Sequence, residues 1–346
     1  MITIKEIAEM TGVSPTTVQN VIHGRTNKVS KENLERIRSV LRETHYVPRL
    51  AHETMTKGRT KIIGVVIYSG RRFEETLAAD PFYGQVIGYL EAEIRRAGYY
   101  MMLYIESDAE VIFRMVSSWS MAGVIAVSFT EAAFLKLSSM SVECPVVGID
   151  TARRHRSIPN NVGLDDEEGG YRMAGWLIGR GYREIYFVSE PFRRAEDLRL
   201  KGYRRALEEA GLPYRDRYVL EFDRMDSKRN GECCAYLVSR KNSRCACLCN
   251  SDYIAIRLMG ALMQRGIRIP DEIGITGFDD TVYAGTVWPG LTSMHQSVAG
   301  KAEEAVKMLL RRMQDGAEGK GQKKEGFPDC GEVLLRAQIV VRGSTL

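Results

Sequence analysis

"TGVSPTTVQNVIHG", residues 11–24, decides how the first sixth of this chain is read. A Gly-containing break comes first, then Ser-Pro, then a short segment with two faces. Ser14 is a good helix N-cap. Pro15 then falls at the first helical position, where its missing N–H costs nothing. Val18, Val21 and Ile22 recur at i, i+3 and i+4, the spacing of a buried stripe. Thr16, Gln19, Asn20 and His23 form an uninterrupted polar stripe on the opposite side, and Gly24 ends the helix. The polar stripe carries no Lys or Arg, so what it lies against has to be read from its surroundings.

Those surroundings are helical and basic. Thr3 and Glu6 have capping-box spacing, which starts a helix near Ile4 with Ile4, Ile7 and Ala8 as its apolar face. A third helix starts at Ser30, buries Leu34, Ile37, Val40 and Leu41, and ends before Pro48. Two short helices joined by a turn, followed by a third, make a helix-turn-helix unit over residues 1–47. Its second helix would enter a major groove N-terminus first, where Gln and Asn can pair with adenine and Thr can touch a thymine methyl. Thr3, Ser14, Pro15, Thr16, Thr17, Gln19, Asn20, His23 and Lys28 are the expected DNA-side residues. Arg25, Lys28, Lys31, Arg36 and Arg38 are placed for phosphates. The competing reading is a three-helix cap on the next domain. Charge bears on the choice. The 346-residue chain has a net charge of +5, and residues 1–61 hold 11 Lys and Arg against 6 Asp and Glu, so all of the excess sits there. A basic module on a neutral body suits a polyanion.

The rest of the chain, 61–346, alternates short apolar runs with helical stretches. "KIIGVVIY", "YYMMLYI", "GVIAVSF", "PVVGI", "EIYFV", "CACLCN" and "IGITGF" read as strands, with helices at 83–97, 166–180, 199–210 and 252–265 among those between them. Apolar strands alternating with helices predict doubly wound parallel α/β sheets, and the strand count exceeds one lobe. The expected fold is therefore a small all-α helix-turn-helix head plus an α/β body of two doubly wound lobes. A ligand belongs between the lobes, beyond the C-terminal ends of the strands. No G-x-G-x-x-G or Walker loop occurs, so no nucleotide cofactor is expected, and the Gly/Lys-rich "GAEGKGQKKEG" (316–326) follows no strand. Cys245, Cys247 and Cys249 alternate on one strand face, which reads as core filling and not as a metal site. Seven Cys, no apolar run of membrane-span length and no secretory signal point to a cytoplasmic protein without a membrane partner.

The stretch from Thr3 to Pro48 closely resembles the DNA-binding head of the lactose-repressor (LacI/GalR) family of bacterial transcription regulators. The family pattern runs V-S-x-x-T-V-S-R-V-L-N-G. Val13, Ser14, Thr17, Val18, Val21 and Gly24 match it, while Gln19, Asn20 and His23 replace its Ser, Arg and Asn. The resemblance implies a hinge over 48–60 whose helices pair across a dimer and wedge the minor groove, with Met55 at the position of the family's Leu. His52 and Glu53 depart from that pattern, and a plain flexible linker stays open as the other reading. The body resembles the family too, and also the periplasmic sugar-binding proteins, through "DPFYGQVIGYLEAEIRRAGY", "DLRLKGYRRALEEAGL", "CNSDYIAIRLMGAL", "IPDEIGITGFDD", "WPGLTSMHQ" and "VVRGST". By that resemblance Arg199 and Asp279 hold effector hydroxyls, Ser251 and Asp252 are the polar effector-side pair, and Phe82 and Trp288 are candidate walls. The lobes are expected at 61–163 with 293–325 and at 164–292 with 326–346. "SGRRFEETLAADPF" (69–82) is longer than the family's link and reads as a lid, a dimer contact or neither. Tyr182 stands where the family has His.

The function implied is a homodimeric, sequence-specific transcription regulator, usually a repressor, binding pseudo-palindromic operator DNA and controlled by a small-molecule effector, by family precedent a carbohydrate. A ligand-binding protein without DNA regulation fits the body but not the basic head. An enzyme has no nucleophile, metal set or cofactor loop to support it.

Overall fold

The computed structural model describes residues 2–22, 24–44, 60–69, 77, 80–140, 144–152, 158–191, 198–223, 225–318 and 330–346. His23, Met55, His52, Glu53, nearly all of the 48–60 hinge, most of the 69–82 link and most of 316–326 lie outside them. Contacts divide the chain into residues 1–61 and 62–346.

The head consists of α1 (Ile4–Thr11), α2 (Pro15–Ile22) and α3 (Lys31–Glu43). The Thr3 hydroxyl accepts from the Glu6 N–H at 3.3 Å, and the Glu6 carboxylate accepts from the Thr3 N–H at 2.6 Å, so the capping box is complete. Gly12 turns the chain at φ +65°, a left-handed conformation that a side chain would strain. Ser14 then caps α2 by accepting from Thr17 N–H at 3.2 Å, and Ser30 caps α3 from Asn33 N–H at 3.3 Å. Ile7, Ala8, Val18, Val21 and Ile37 are buried together. Leu34, Val40 and Leu41 only pack against that cluster, because three short helices have too little volume to enclose them.

Among the described residues the body has two six-stranded sheets. The first runs β11-β5-β4-β3-β1-β2, with β1 (Ile62–Tyr68), β2 (Tyr100–Glu106), β3 (Gly123–Val127), β4 (Val146–Ile149), β5 (Asn161–Leu164) and β11 (Glu332–Leu335). The second runs β12-β10-β9-β8-β6-β7, with β6 (Glu184–Ser189), β7 (Val219–Glu221), β8 (Cys245–Cys249), β9 (Ile273–Asp279), β10 (Thr292–His295) and β12 (Gln338–Val340). Among the described residues all strand pairings are parallel except β10 with β12. The helices between them are α4 (Pro81–Arg96), α5 (Ala109–Ser118), α6 (Glu131–Met140), α7 (Asp166–Gly179), α8 (Leu198–Glu209), α9 (Ser227–Val238), α10 (Asp252–Met263) and α11 (Val298–Glu318). β3, β4, β8 and β9 are buried along their whole length, which is why they read as unbroken apolar runs.

The chain passes between lobes three times: after β5, after β10 and between β11 and β12. This differs from the expected division. β10 belongs to the second sheet although residue 293 was placed in the first lobe. β11 pairs with β5 in the first sheet although residues 326–346 were assigned to the second. Both are four-residue strands, too short to carry a period that sequence can display.

Two local features position the site. α7 and α8 cross at bare glycines: a Cβ on Gly170 would lie 2.1 Å from the Arg199 carbonyl oxygen, and one on Gly202 would lie 1.9 Å from that of Glu167. The contact sets the start of α8, and with it Arg199, against the start of α7. The Tyr182 hydroxyl accepts from the Leu346 N–H at 3.1 Å over Gly274, so it fastens the last residue to the second lobe. Cys245, Cys247 and Cys249 share one apolar cluster with Cys233 and Cys234, and burial pushes the thiol of Cys245 up to about 12.

Candidate functional site

Polar side chains collect at the C-terminal ends of the parallel strands, where a doubly wound sheet opens a crevice. Ser128 follows β3, Asp150 follows β4, Glu190 follows β6, Asn250 follows β8, and Asp279 ends β9. All five line one cavity of about 310 Å³ between the lobes of the body. Asp80, Phe82, Tyr83, Thr151, Asn161 and Glu332 line its first-lobe wall; Asp166, Arg199, Ser251 and Tyr253 line the second-lobe wall, and Gln296 joins them from the crossover after β10. Ser128, Asp150 and Asp279 have positive φ (59°, 51° and 116°), a costly conformation for non-glycine residues that clusters at functional sites.

Arg199 organises the second-lobe wall. Its guanidinium lies on the Phe278 ring, 3.5 Å from the centroid. Nε donates to Asp166 Oδ1 at 2.8 Å, Nη1 donates to the Asn250 carbonyl, and Nη1 lies 3.9 Å from Asp279 Oδ1. Burial pushes the Asp279 carboxyl up to about 8; Arg199 and the Gln296 amide pull it down, while the Asp252 and Asp80 charges push it further up. Two buried atoms of lining residues, Asn250 Oδ1 and Thr151 Oγ1, have no hydrogen-bond partner among the described residues. One sits on each lobe, and a buried polar atom without a partner is costly unless something supplies one.

Four of the six effector-side residues expected from sequence meet here: Phe82, Arg199, Ser251 and Asp279. Ser251 also caps α10, accepting from Ile254 N–H at 3.3 Å. Asp252 does not line the cavity. It is fully buried, its Oδ2 accepting from Thr281 N–H at 2.6 Å and its Oδ1 from the Ser293 hydroxyl at 2.5 Å, so it braces α10 against the loop after β9. Trp288 is no cavity wall either: it is 87% exposed, on the loop leading to Pro289 and β10. Glu190, Asn250, Gln296, Asp150 and Glu332 are among the lining residues that the sequence reading does not name. For Glu190, Asn250 and Asp150 a signal was present, since each is among the first polar residues after a strand run.

On the head, Thr16 is exposed and Gln19 and Asn20 are half-buried, and their side chains make no hydrogen bond among the described residues. The hydroxyls of Ser14 and Thr17 are 2.9 Å apart and serve the cap of α2, while Thr3 serves the cap of α1. Pro15 and Lys28 are exposed. Arg36, expected on phosphate, instead donates from Nη1 to the Thr11 carbonyl at 3.2 Å and pairs with Glu32 at 3.0 Å.

Known proteins agree with both parts. Residues 3–49 match the model of bacterial regulatory proteins of the lacI family, and residues 174–345 match a periplasmic binding protein-like domain. The chain is 30% identical to the HTH-type transcriptional repressor PurR of Vibrio parahaemolyticus, over 98% of this chain and 99% of that one. It is 28% identical to PurR of Haemophilus influenzae strain PittEE, over 99% and 98%. The lac repressor dimer bound to operator and the anti-inducer ONPF has the same fold, with a TM-score of 0.81 at 20% identity over 100% of this chain and 99% of that one.

Proposed function

Because the chain belongs to the LacI family of bacterial regulatory proteins, we propose that Thr16, Gln19 and Asn20 read its operator and that the cavity around Arg199 and Asp279 takes a hydroxyl-rich effector. The protein is a sequence-specific DNA-binding transcriptional repressor whose operator affinity is set by a small molecule, and its role is regulatory, not catalytic. The observation that carries the effector reading is the lining of the cavity. It is rich in acceptors, with Asp80, Asp150, Asp166, Glu190, Asp279, Glu332 and the unpartnered Asn250 Oδ1, and Phe82, Tyr83 and Tyr253 supply ring faces. Such a wall suits a neutral ring bearing several hydroxyl donors, a carbohydrate, and repels a phosphate ester.

The α2 face supports the DNA reading. It presents amides and a hydroxyl that pair with adenine and touch thymine, and its exposed cations, Arg25, Lys28 and Lys31, flank it. A homodimer would read two half-sites of a near-palindrome. Val282, Tyr283 and Trp288, all exposed, suit burial against a second copy. Met55 and the hinge keep their assignment to the minor groove within this proposal, as does His23 to the reading face.

The test is a gel shift of the full chain on the region upstream of its own gene, with neutral monosaccharides and their 6-phosphates added in turn. Retention of one fragment over random DNA is expected, with modulation by a neutral sugar and none by the esters. Asn20→Ala relaxes base preference at one position per half-site, by about 1–3 kcal/mol. Retention no better than on random DNA would refute the assignment of the head.

A further inference from the structure

Lys301 is among the largest fully buried side chains of the body, at 1% exposure, and the effector reading gives it no task. It projects from α11 behind the cavity wall. Nζ donates to Asp150 Oδ1 at 2.6 Å and to Gln296 Oε1. The Gln296 amide in turn donates from Nε2 to Asp279 Oδ1, and the Gln296 N–H points at the Asp279 carbonyl. Asp150 and Lys301 belong to the first lobe, Asp279 to the second, and Gln296 to the strand-to-helix crossover between them. The three groups that Lys301 links all line the cavity.

The chemistry of the lysine makes this chain directional. An ammonium has donors only, so Gln296 must turn Oε1 toward it, and Nε2 is then left for Asp279. Without the ammonium, nothing on that side of the amide demands an acceptor, so the orientation that aims Nε2 at Asp279 is no longer fixed. Lys301 thus fixes the sense of a hydrogen-bond chain that crosses from one lobe to the other along the floor of the cavity.

We propose that Lys301 is a positioning residue for allostery: through Gln296 it ties Asp279 to the first lobe, and an effector that engages Asp279 or Asp150 acts on the operator by replacing that tie. The proposal rests on the regulatory reading above. A ligand shifts a lobe equilibrium only by binding its two arrangements unequally, and a tie made of the same side chains that would hold the ligand supplies that inequality.

The experiment uses the full chain, no added effector, and the operator fragment that the wild type retards, at fixed salt and well below the melting temperature. Lys301→Met, Gln296→Met and the double variant are compared. Gln296→Met keeps the Lys301–Asp150 ion pair and so guards against a variant that fails to fold. Each single substitution is expected to change operator affinity threefold or more in the same direction, and the double variant no more than the stronger single, because both cut one chain. Weaker binding would mark the effector as an inducer, tighter binding as a corepressor. Single variants that melt earlier but bind operator within twofold of wild type, or effects that multiply in the double variant, overturn the proposal and leave Lys301 a packing residue. Failure of the wild type to bind DNA would instead strike the regulatory reading, so the two failures are distinguishable.

Discussion

The head and the body keep, in opposite ways, the side chains proposed to act. On the head they lie on one face of α2, within five residues of sequence, over a core of five buried aliphatics. In the body they are spread from residue 80 to residue 332 and meet only because strands of both sheets end at one crevice. The head is therefore specified by local rules: a cap, a Pro, a left-handed Gly, a period of 3.6. The body is specified by packing at a distance, and its site depends on backbone approaches that no local pattern announces. Perturbations should divide the same way, with deep and global effects in the body and shallow ones in the head.

The sharpest test of that contrast is Gly202→Ala. The added carbon would sit 1.9 Å from the Glu167 oxygen and 2.6 Å from the Tyr171 nitrogen, both backbone atoms that cannot turn aside. The expected cost is about 3 kcal/mol or more. It is read as a shift of the body's urea transition, with the signal of the head unmoved. Arg199 stands three residues earlier on α8, so effector binding should fall with it. A variant as stable as wild type would mean that α7 and α8 separate freely, and the placement of Arg199 would need another cause.

This division explains what was legible. The capping box of Thr3 and Glu6, the Ser14 cap and the buried Val18 and Val21 are all readable from neighbours in sequence, and the structure reproduces them. The long buried strands were legible for the same reason: apolar runs bounded by turns. Asp252 was not. A carboxylate after "CNS" looks like a ligand-facing group until β10 supplies Ser293 and the loop after β9 supplies Thr281, forty-one and twenty-nine residues away. Trp288 failed likewise, since an aromatic near a ligand motif looks the same whether it faces inward or outward. β11 and β12 span four and three residues, and only their pairing partners define them.

Asp252 offers the next test because its role is structural and titratable at once. Burial pushes its carboxyl up to about 6, from an ordinary value near 3.8, against the pull of its Ser293 and Thr281 donors. The folded state then holds a proton that the unfolded state has released, so this contribution to stability is complete below about pH 4 and is lost as pH rises through about 6. Asp279, raised in the same direction, continues the loss toward pH 8. Asp252→Ala strands the buried Thr281 and Ser293 donors, at a cost of about 1–3 kcal/mol. That cost should be larger at pH 5 than at pH 8, measured by thermal or urea unfolding. Equal costs at both pH values would show that Asp252 is not the group behind the slope.

The smallest effect comes back to the head, where sequence alone put Arg36 on a phosphate. Its guanidinium instead holds the carbonyl of Thr11 at the end of α1 and the carboxylate of Glu32 one turn earlier on α3. The Glu32 pair is largely exposed and adds little. The bond to Thr11 is the useful one, because it fills an acceptor that the end of a helix leaves open. Arg36→Ala should cost the head about 0.5–1.5 kcal/mol. It should leave the slope of log affinity against log salt unchanged, whereas losing a phosphate contact lowers that slope by about 1. Lys31→Ala, one of the exposed cations, serves as the comparison and should lower it. A reduced slope for Arg36→Ala would mean that the guanidinium leaves Thr11 for the DNA, and that even this local module rearranges when it binds.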